Sequence, residues 1–407
     1  MEFASTAAYF VTAFCLGKFF SWFVYRTTWD NAERSNARIG SLLVGYLSRP
    51  QIWIIHIPIG FFSASGSWYE STGAQGIAVA MAWIMALNSV LRFGAADQNR
   101  YYIADRILTF GLASLTLVFP GALILSVLAS SCLQYSASAS RIGPGYSNLL
   151  GFEFVRGSAC VLCTCAALAG AAEMIPISIE APDEGILLAA FLGYQASYYV
   201  NQGFAKAALG KHWFEWPLKN RLECLIINSY LRGWGSRLIS QETVLQLARI
   251  ARKGRVIICG GCLLLEAGCI IMLFHSEFAI ALLAVLICFH LSVALCTGLL
   301  GHEFILNHLV IIGLILCQPE LFASVFGIQT GILLVGCGVL NFIFVGLLRL
   351  KSLKEFNETG AAVGPYARAA DSADLLMAWW DSPYMRMYTY TAITKSGNYM
   401  AIPVPML

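Results

Sequence analysis

Charge is what this chain has least of. Only 12% of its 407 residues are Asp, Glu, Lys or Arg, against about 25% in an ordinary soluble domain, whose surface water must wet. With 58% of the residues hydrophobic, that shortage excludes water as the main solvent. A large net charge is missing too. The formal value of +3 is too small for an electrostatic footprint on nucleic acid, and no nucleic-acid partner is expected. The N-terminus lacks the basic start and small-residue cleavage site of a signal peptide, so Thr6 to Tyr25 reads as a retained first span. Internal repeats and low-complexity tracts are absent as well.

What recurs instead is long apolar runs, of which Gly111 to Ser130 and Ile257 to Phe274 approach or reach the roughly 18 to 20 residues that carry a helix across hydrocarbon. Candidate spans cover about 5–25, 74–93, 107–133, 152–178, 185–205, 256–275, 278–299, 304–318 and 320–348. Backbone groups in lipid are satisfied only within a helix or a closed barrel, and these runs lack the alternation of a barrel strand. The expected fold is therefore all-α, a polytopic transmembrane helical bundle of about nine spans. Ile52 to Phe62, with His56 and Pro58 inside it, is short enough to be interfacial, re-entrant or a tenth span. Residues 1–350 form the expected transmembrane domain and 351–407 a polar, aromatic-rich C-terminal tail with a cluster from Trp379 to Tyr390.

The few charges are unevenly placed. Lys206 to Arg255 collects ten Lys or Arg against three Glu, which the positive-inside rule assigns to the cytoplasm together with Arg349, Lys351 and Lys354. Within Ser236 to Arg255, Leu238, Val244, Leu245, Leu247 and Ile250 recur near helical spacing. That pattern predicts an interfacial amphipathic helix lying flat on the headgroups.

Ionisable residues inside apolar spans are costly, and each is a functional candidate by default. Lys206 closes the run Tyr198-Tyr199-Val200-Asn201-Gln202-Gly203-Phe204-Ala205-Lys206. Withdrawn from water it would serve as a base; the plainer reading is a lysine snorkelling to the headgroups. Glu266 and His290 lie in mid-run and should face the bundle interior, either as a site or as interhelical hydrogen-bonding groups. His302, Glu303 and His308 do not match the His-Glu-x-x-His zinc helix, so no metal site is expected. Cys160-Val-Leu-Cys163-Thr-Cys165 and Cys259-Gly-Gly-Cys262 read as small packing residues, like most of the thirteen cysteines. Glu153 and Arg156, three apart, suit a structural pair on one helix face. Gly336-Cys-Gly338 lacks the Lys-Ser or Lys-Thr of a phosphate loop.

Tyr199 with Gly203 and Lys206, then Trp213, Leu263-Leu-Leu-Glu266, Phe289-His290, Gly301 to Phe304 and Pro319 follow one another in order. Over 198–320 the chain thereby resembles the horizontally transferred transmembrane (HTTM) family, the membrane domain of vitamin K-dependent gamma-carboxylases. The resemblance implies an intramembrane enzyme acting on a peptide or on an isoprenoid or quinone-type lipid. Lys206 would inherit the role of base, with Glu266 and His290 shaping the pocket. Membrane lipids, a peptide substrate or partner membrane subunits are the partners implied. A second reading is a non-catalytic integral membrane subunit or scaffold, since no asparagine-histidine pair stands near Asn148. A transporter is the third, as polar residues on apolar helices can line a path.

Overall fold

The first element shows how few apolar runs become a plain span. In the computed structural model, which describes residues 2–32, 50–70, 72–90, 101–130, 148–175, 183–208, 212, 214–220, 222–231, 239–297, 301–341, 390–393 and 399–402, α1 (Glu2–Ala32) is 31 residues long. Lys18 and several hydroxyl side chains interrupt its apolar sequence. The helices that follow are α2 (Pro50–Ser65), α3 (Thr72–Val90), α4 (Tyr101–Leu115), α5 (Asn148–Met174), α6 (Glu184–Ala208), α7 (Glu215–Lys219) and α8 (Leu222–Leu231). They continue with α9 (Gln241–Gly268), α10 (Ser276–Thr297), α11 (His302–Cys317), α12 (Pro319–Ala323) and α13 (Ile328–Asn341). A short hairpin, β1 (Tyr390–Ile393) with β2 (Tyr399–Ile402), pairs Tyr390 with Ile402 and Ile393 with Tyr399. Apart from that hairpin the described chain is helical, as the apolar periodicity requires.

Among the described residues, three stretches are long and apolar enough to cross a membrane: Phe154–Met174, Gln241–Ile271 and Ser276–Cys296. The expectation of about nine full spans is corrected by this. The apolar helices Ile52–Ser65, Gly73–Leu87, Pro120–Ser130, His302–Cys317 and Ile328–Leu340 are shorter, at 10–17 residues. Local chemistry explains the shortfall. The run expected over 107–133 breaks after Leu115, because Pro120 forces Phe119 out of the helical region, to φ −129° and ψ 86°. The run over 320–348 is cut by the turn at 324–327. In α6, Asn201, Gln202 and Lys206 dilute an otherwise apolar helix. The short run around His56 is a single helix through Pro58, with His56 Nδ1 2.8 Å from the Ile52 carbonyl.

The chain divides into two compact units, one comprising Met1–Ala196, Ile271–Ile287 and Gly301–Cys337, the other Ser197–Ile270, Cys288–Leu300 and Gly338–Leu407. The first unit is built around α5, against which α1, α2, α3 and α11 pack. The apolar stretch of α5 is 83% buried, and Cys160, Cys163 and Cys165 are free thiols fully enclosed in it. Small residues permit the close packing. A Cβ added at Gly66 would lie 2.6 Å from the Gly170 Cα, and one at Gly170 would collide with the Phe62 carbonyl oxygen. At the end of the same helix Glu173 accepts hydrogen bonds from Ser67 N (3.1 Å) and Ser67 Oγ (2.6 Å), closing the 3-10 turn Ser67–Glu70.

The second unit corrects the expectation of a separate interfacial helix. Residues 241–255 are the first half of α9, which runs unbroken into the apolar segment. Ser240 caps its N-terminus by accepting from Thr243 N at 3.2 Å. Part of its apolar side packs within the unit: Val244 and Ala251 are buried with Ile226 of α8, and Leu222, Tyr230 and Cys296 pack around them, while Leu247 and Ile250 are exposed. Gly254 alone is too weak a breaker to stop a helix held by that contact. The opposite side stays apolar and open, with Ile257 82% and Leu264 70% exposed, a surface suited to lipid. The span of 31 residues is about 46 Å long at 1.5 Å per residue, against about 30 Å of hydrocarbon. The aromatic cluster of the tail before Tyr390 and the basic group at 349–354 lie outside the described residues.

Replacing Gly170 by Val should lower the thermal unfolding midpoint in detergent, at an overpacking cost of about 1–3 kcal/mol. Gly111→Val, where an added Cβ meets nothing within 4 Å, is the matched control and should leave the midpoint nearly unchanged.

Candidate functional site

The second unit holds a concentration of polar groups on two facing helices. On α6, Tyr199, Gly203 and Lys206 are spaced four and three residues apart and share one face. On α9, Cys259, Cys262 and Glu266 do the same, three and four apart, in the stripe that begins with Val244, Ala248 and Ala251. Gly203 lets the two faces meet. A Cβ there would stand 3.0 Å from the Ala267 backbone nitrogen and 3.3 Å from the Glu266 Cβ.

One turn along α6 from that contact, Lys206 Nζ forms an ion pair and hydrogen bond with Glu266 Oε1. Both side chains are withdrawn from solvent, at 1% and 3% exposure. Cys262 Sγ lies 3.7 Å from the same ammonium, and the Trp216 ring of α7 stands over it at 5.3 Å. One turn in the other direction along α6, the Tyr199 hydroxyl is 2.9 Å from His290 Nε2 on α10. Tyr199 is also within electrostatic reach of Glu266, and His290 of Lys206. The three residues singled out in the sequence therefore converge, Lys206 and Glu266 in direct contact and His290 through Tyr199.

Along α9 the pair lies in the apolar stretch, between the basic turns and the turn that follows Gly268. Arg249, Arg252 and Lys253 of α9 are exposed, as residues at the polar boundary would be. Glu266 follows Arg255 by eleven residues, about 16 Å along the axis, or half of a hydrocarbon layer of about 30 Å. Removing two ions from water costs several kcal/mol each, which mutual attraction offsets only when both partners are present and well oriented. The snorkelling alternative for Lys206 does not describe this geometry, since its ammonium points at an acid on a neighbouring helix.

Sequence reasoning missed the floor of the site. Trp216 and Asn220, four residues apart, are 4% and 2% exposed. Asn220 Nδ2 donates to Cys259 Sγ at 3.2 Å. Glu223, 1% exposed, and Arg255 are both within electrostatic reach of that thiol. The signal available was the i, i+4 spacing of Trp216 and Asn220 with Glu223 one turn beyond, inside a segment that net charge alone marked as a polar connection. Trp213, part of the family resemblance, lies outside the described residues.

The other candidates sit in the first unit. Gln195 and Asn307 exchange two amide hydrogen bonds of 3.1 Å, and Gln195 also donates to Ser158 Oγ at 3.4 Å. His308 is edge-on to Phe154 with centroids 5.9 Å apart. His302 Nδ1 lies 3.3 Å from Glu303 Oε2. Among the described residues no group of three or more His, Cys, Asp or Glu is arranged to hold a metal ion. Arg156 is buried, while the Glu153 side chain lies outside the described residues.

No protein-family model matches this chain, and neither a curated protein nor a solved structure matches it.

Lys206→Met and Glu266→Leu should each destabilise the protein in detergent by about 3–5 kcal/mol, because each leaves one buried ion without its partner. The double variant should lose less than either single one. A double-mutant cycle from denaturant unfolding checks this, and additive losses would mean that the two groups are not coupled.

Proposed function

We propose that the chain is a multi-pass integral membrane enzyme in which Lys206 acts as a base, on a peptide or on an isoprenoid or quinone-type lipid. The observation that carries this reading is the Lys206–Glu266 pair, buried on two facing helices with Tyr199 and His290 one turn away. Holding a lysine out of water among apolar helices is costly even when it is paired, and intramembrane ionisable groups mark functional sites by default. The resemblance of 198–320 to the membrane domain of gamma-carboxylases points the same way, since Tyr199, Gly203, Lys206, Glu266 and His290 are among the residues that carry it.

The chemistry follows from the low dielectric. The resting state is the ion pair, and a shift of one proton from the ammonium to the carboxylate gives an amine and a carboxylic acid, which a low-dielectric site tolerates better than bulk water does. With its proton passed to Glu266 Oε1, Lys206 presents a lone pair and accepts a proton from a substrate O–H or C–H. Glu266 holds the displaced proton until the site resets. The His290–Tyr199 pair supplies a second hydrogen-bonding position for the same substrate.

The multi-pass arrangement is supported by the three long apolar helices together with the five shorter ones, and by the position of the exposed basic residues of α9 below its apolar half.

The test uses the full chain in lipid nanodiscs, offered reduced isoprenoid-tailed quinols and glutamate-containing peptides, with substrate consumption followed by mass spectrometry. The wild type should turn over one of these classes, and Lys206→Ala should lower the rate by about 10²–10⁴-fold, the range for loss of a general base. Turnover by Lys206→Ala at the wild-type rate would remove the assignment. It would leave the pair as a helix clamp in a non-catalytic membrane subunit.

A further inference from the structure

A base that is 1% exposed needs a way to return its proton to water. Two atoms on the turn that covers Lys206 bear on this. Trp216 Nε1, a donor, and Asn220 Oδ1, an acceptor, are buried and have no hydrogen-bond partner in the protein among the described residues. Buried polar atoms of this kind are nearly always satisfied, by protein or by ordered water, and leaving one unmatched costs about 1–3 kcal/mol. Here the donor and the acceptor are carried by residues one turn apart, with the Asn220 backbone N–H bonding to the Trp216 carbonyl at 2.9 Å.

Their surroundings give the two atoms a direction. The Trp216 ring covers the Lys206 ammonium. Asn220 is tied to Cys259, one turn along α9 from Cys262, which touches Lys206. Glu223 and Arg255, the next charged groups, lie within electrostatic reach of Cys259. Arg255 in turn adjoins the exposed Arg252 and Lys253. The groups therefore form a polar sequence from the basic level of α9 inward to Lys206, while the opposite side of α9 is apolar.

We propose that Trp216 and Asn220 are positioning residues that hold water against Lys206 and so form the route by which its amine exchanges protons, past Glu223 and Arg255, with the aqueous boundary at the exposed Arg252 and Lys253. A water accepting from Trp216 Nε1 and donating to Asn220 Oδ1 satisfies both atoms. Lys206 passes one ammonium proton to such a water, and a proton leaves at the boundary, with no change of oxidation state. This rests on the reading of Lys206 as a base, and it adds the residues that reset it.

The experiment is reductive methylation of the full chain in nanodiscs with formaldehyde and dimethylamine-borane, small neutral reagents that need a deprotonated amine. Labelling of Lys206 and of the exposed Lys253 is followed by peptide mass spectrometry. Lys206 should label in the wild type. Asn220→Leu, which keeps the volume and removes the polar atoms, should slow that labelling at least about tenfold, the effect of losing one hydrogen bond worth about 1.4 kcal/mol. Asn220→Gln should restore it. Trp216→Phe, which keeps a ring over the ammonium but lacks Nε1, should slow it also and guards against a misfolded Leu variant. Lys253 should label alike throughout. Wild-type rates at Lys206 in both Asn220→Leu and Trp216→Phe would overturn the proposal, as would a wild-type Lys206 that stays unlabelled while Lys253 is fully modified. The readout is proton loss at Nζ and not turnover. A failed activity test for Lys206→Ala thus leaves the access route standing, and a failed labelling test leaves the base assignment to its own experiment.

Discussion

A lysine and a glutamate held together out of water set the terms for the second unit. Neither residue is tolerable alone at that depth, so each fixes the other, and the helices that carry them must meet with little freedom in rotation or slide. The i, i+4, i+7 face of α6 and the matching face of α9 are both consequences of that demand. Gly203 belongs to the same requirement, because the backbone of Ala267 occupies the space where a larger side chain would stand. Trp216 then completes the enclosure with an aromatic face, which attracts a cation without adding a second negative charge.

One cluster of the first unit meets a milder version of the problem with neutral groups. Gln195 and Asn307 satisfy one another reciprocally, and Ser158 joins them, so that cluster holds no ion away from water. Around them the packing depends on small side chains, with Gly66 and Gly170 in near contact and the thiols of α5 enclosed. Polar pairs and small residues at close approaches recur in both units.

Much of this was legible in the sequence. The helical class followed from the long apolar runs, and Lys206, Glu266 and His290 stood out because ionisable groups are rare there. The number of full spans was not legible, because hydropathy alone does not register a Phe119-Pro120 step or the 324–327 turn. The continuity of 241–255 with the apolar segment was not legible for a related reason: amphipathic periodicity looks the same whether the apolar side meets headgroups or a partner helix such as α8. Asn220, Trp216 and Glu223 carry no sequence mark as strong as a charge in an apolar run. Their importance comes from the tertiary contact that sets them beside Cys259 and Lys206.

Helix α9 is a single rod that joins surface-level arginines to a buried acid. A helix turns by about 100° per residue, so a register shift of one residue anywhere below Glu266 would swing the carboxylate away from its lysine. The basic turns and the acid therefore behave as the two ends of one shaft. Any rotation of the turns that carry Arg249, Arg252 and Lys253 also changes the angular position of the group that holds Lys206 in place.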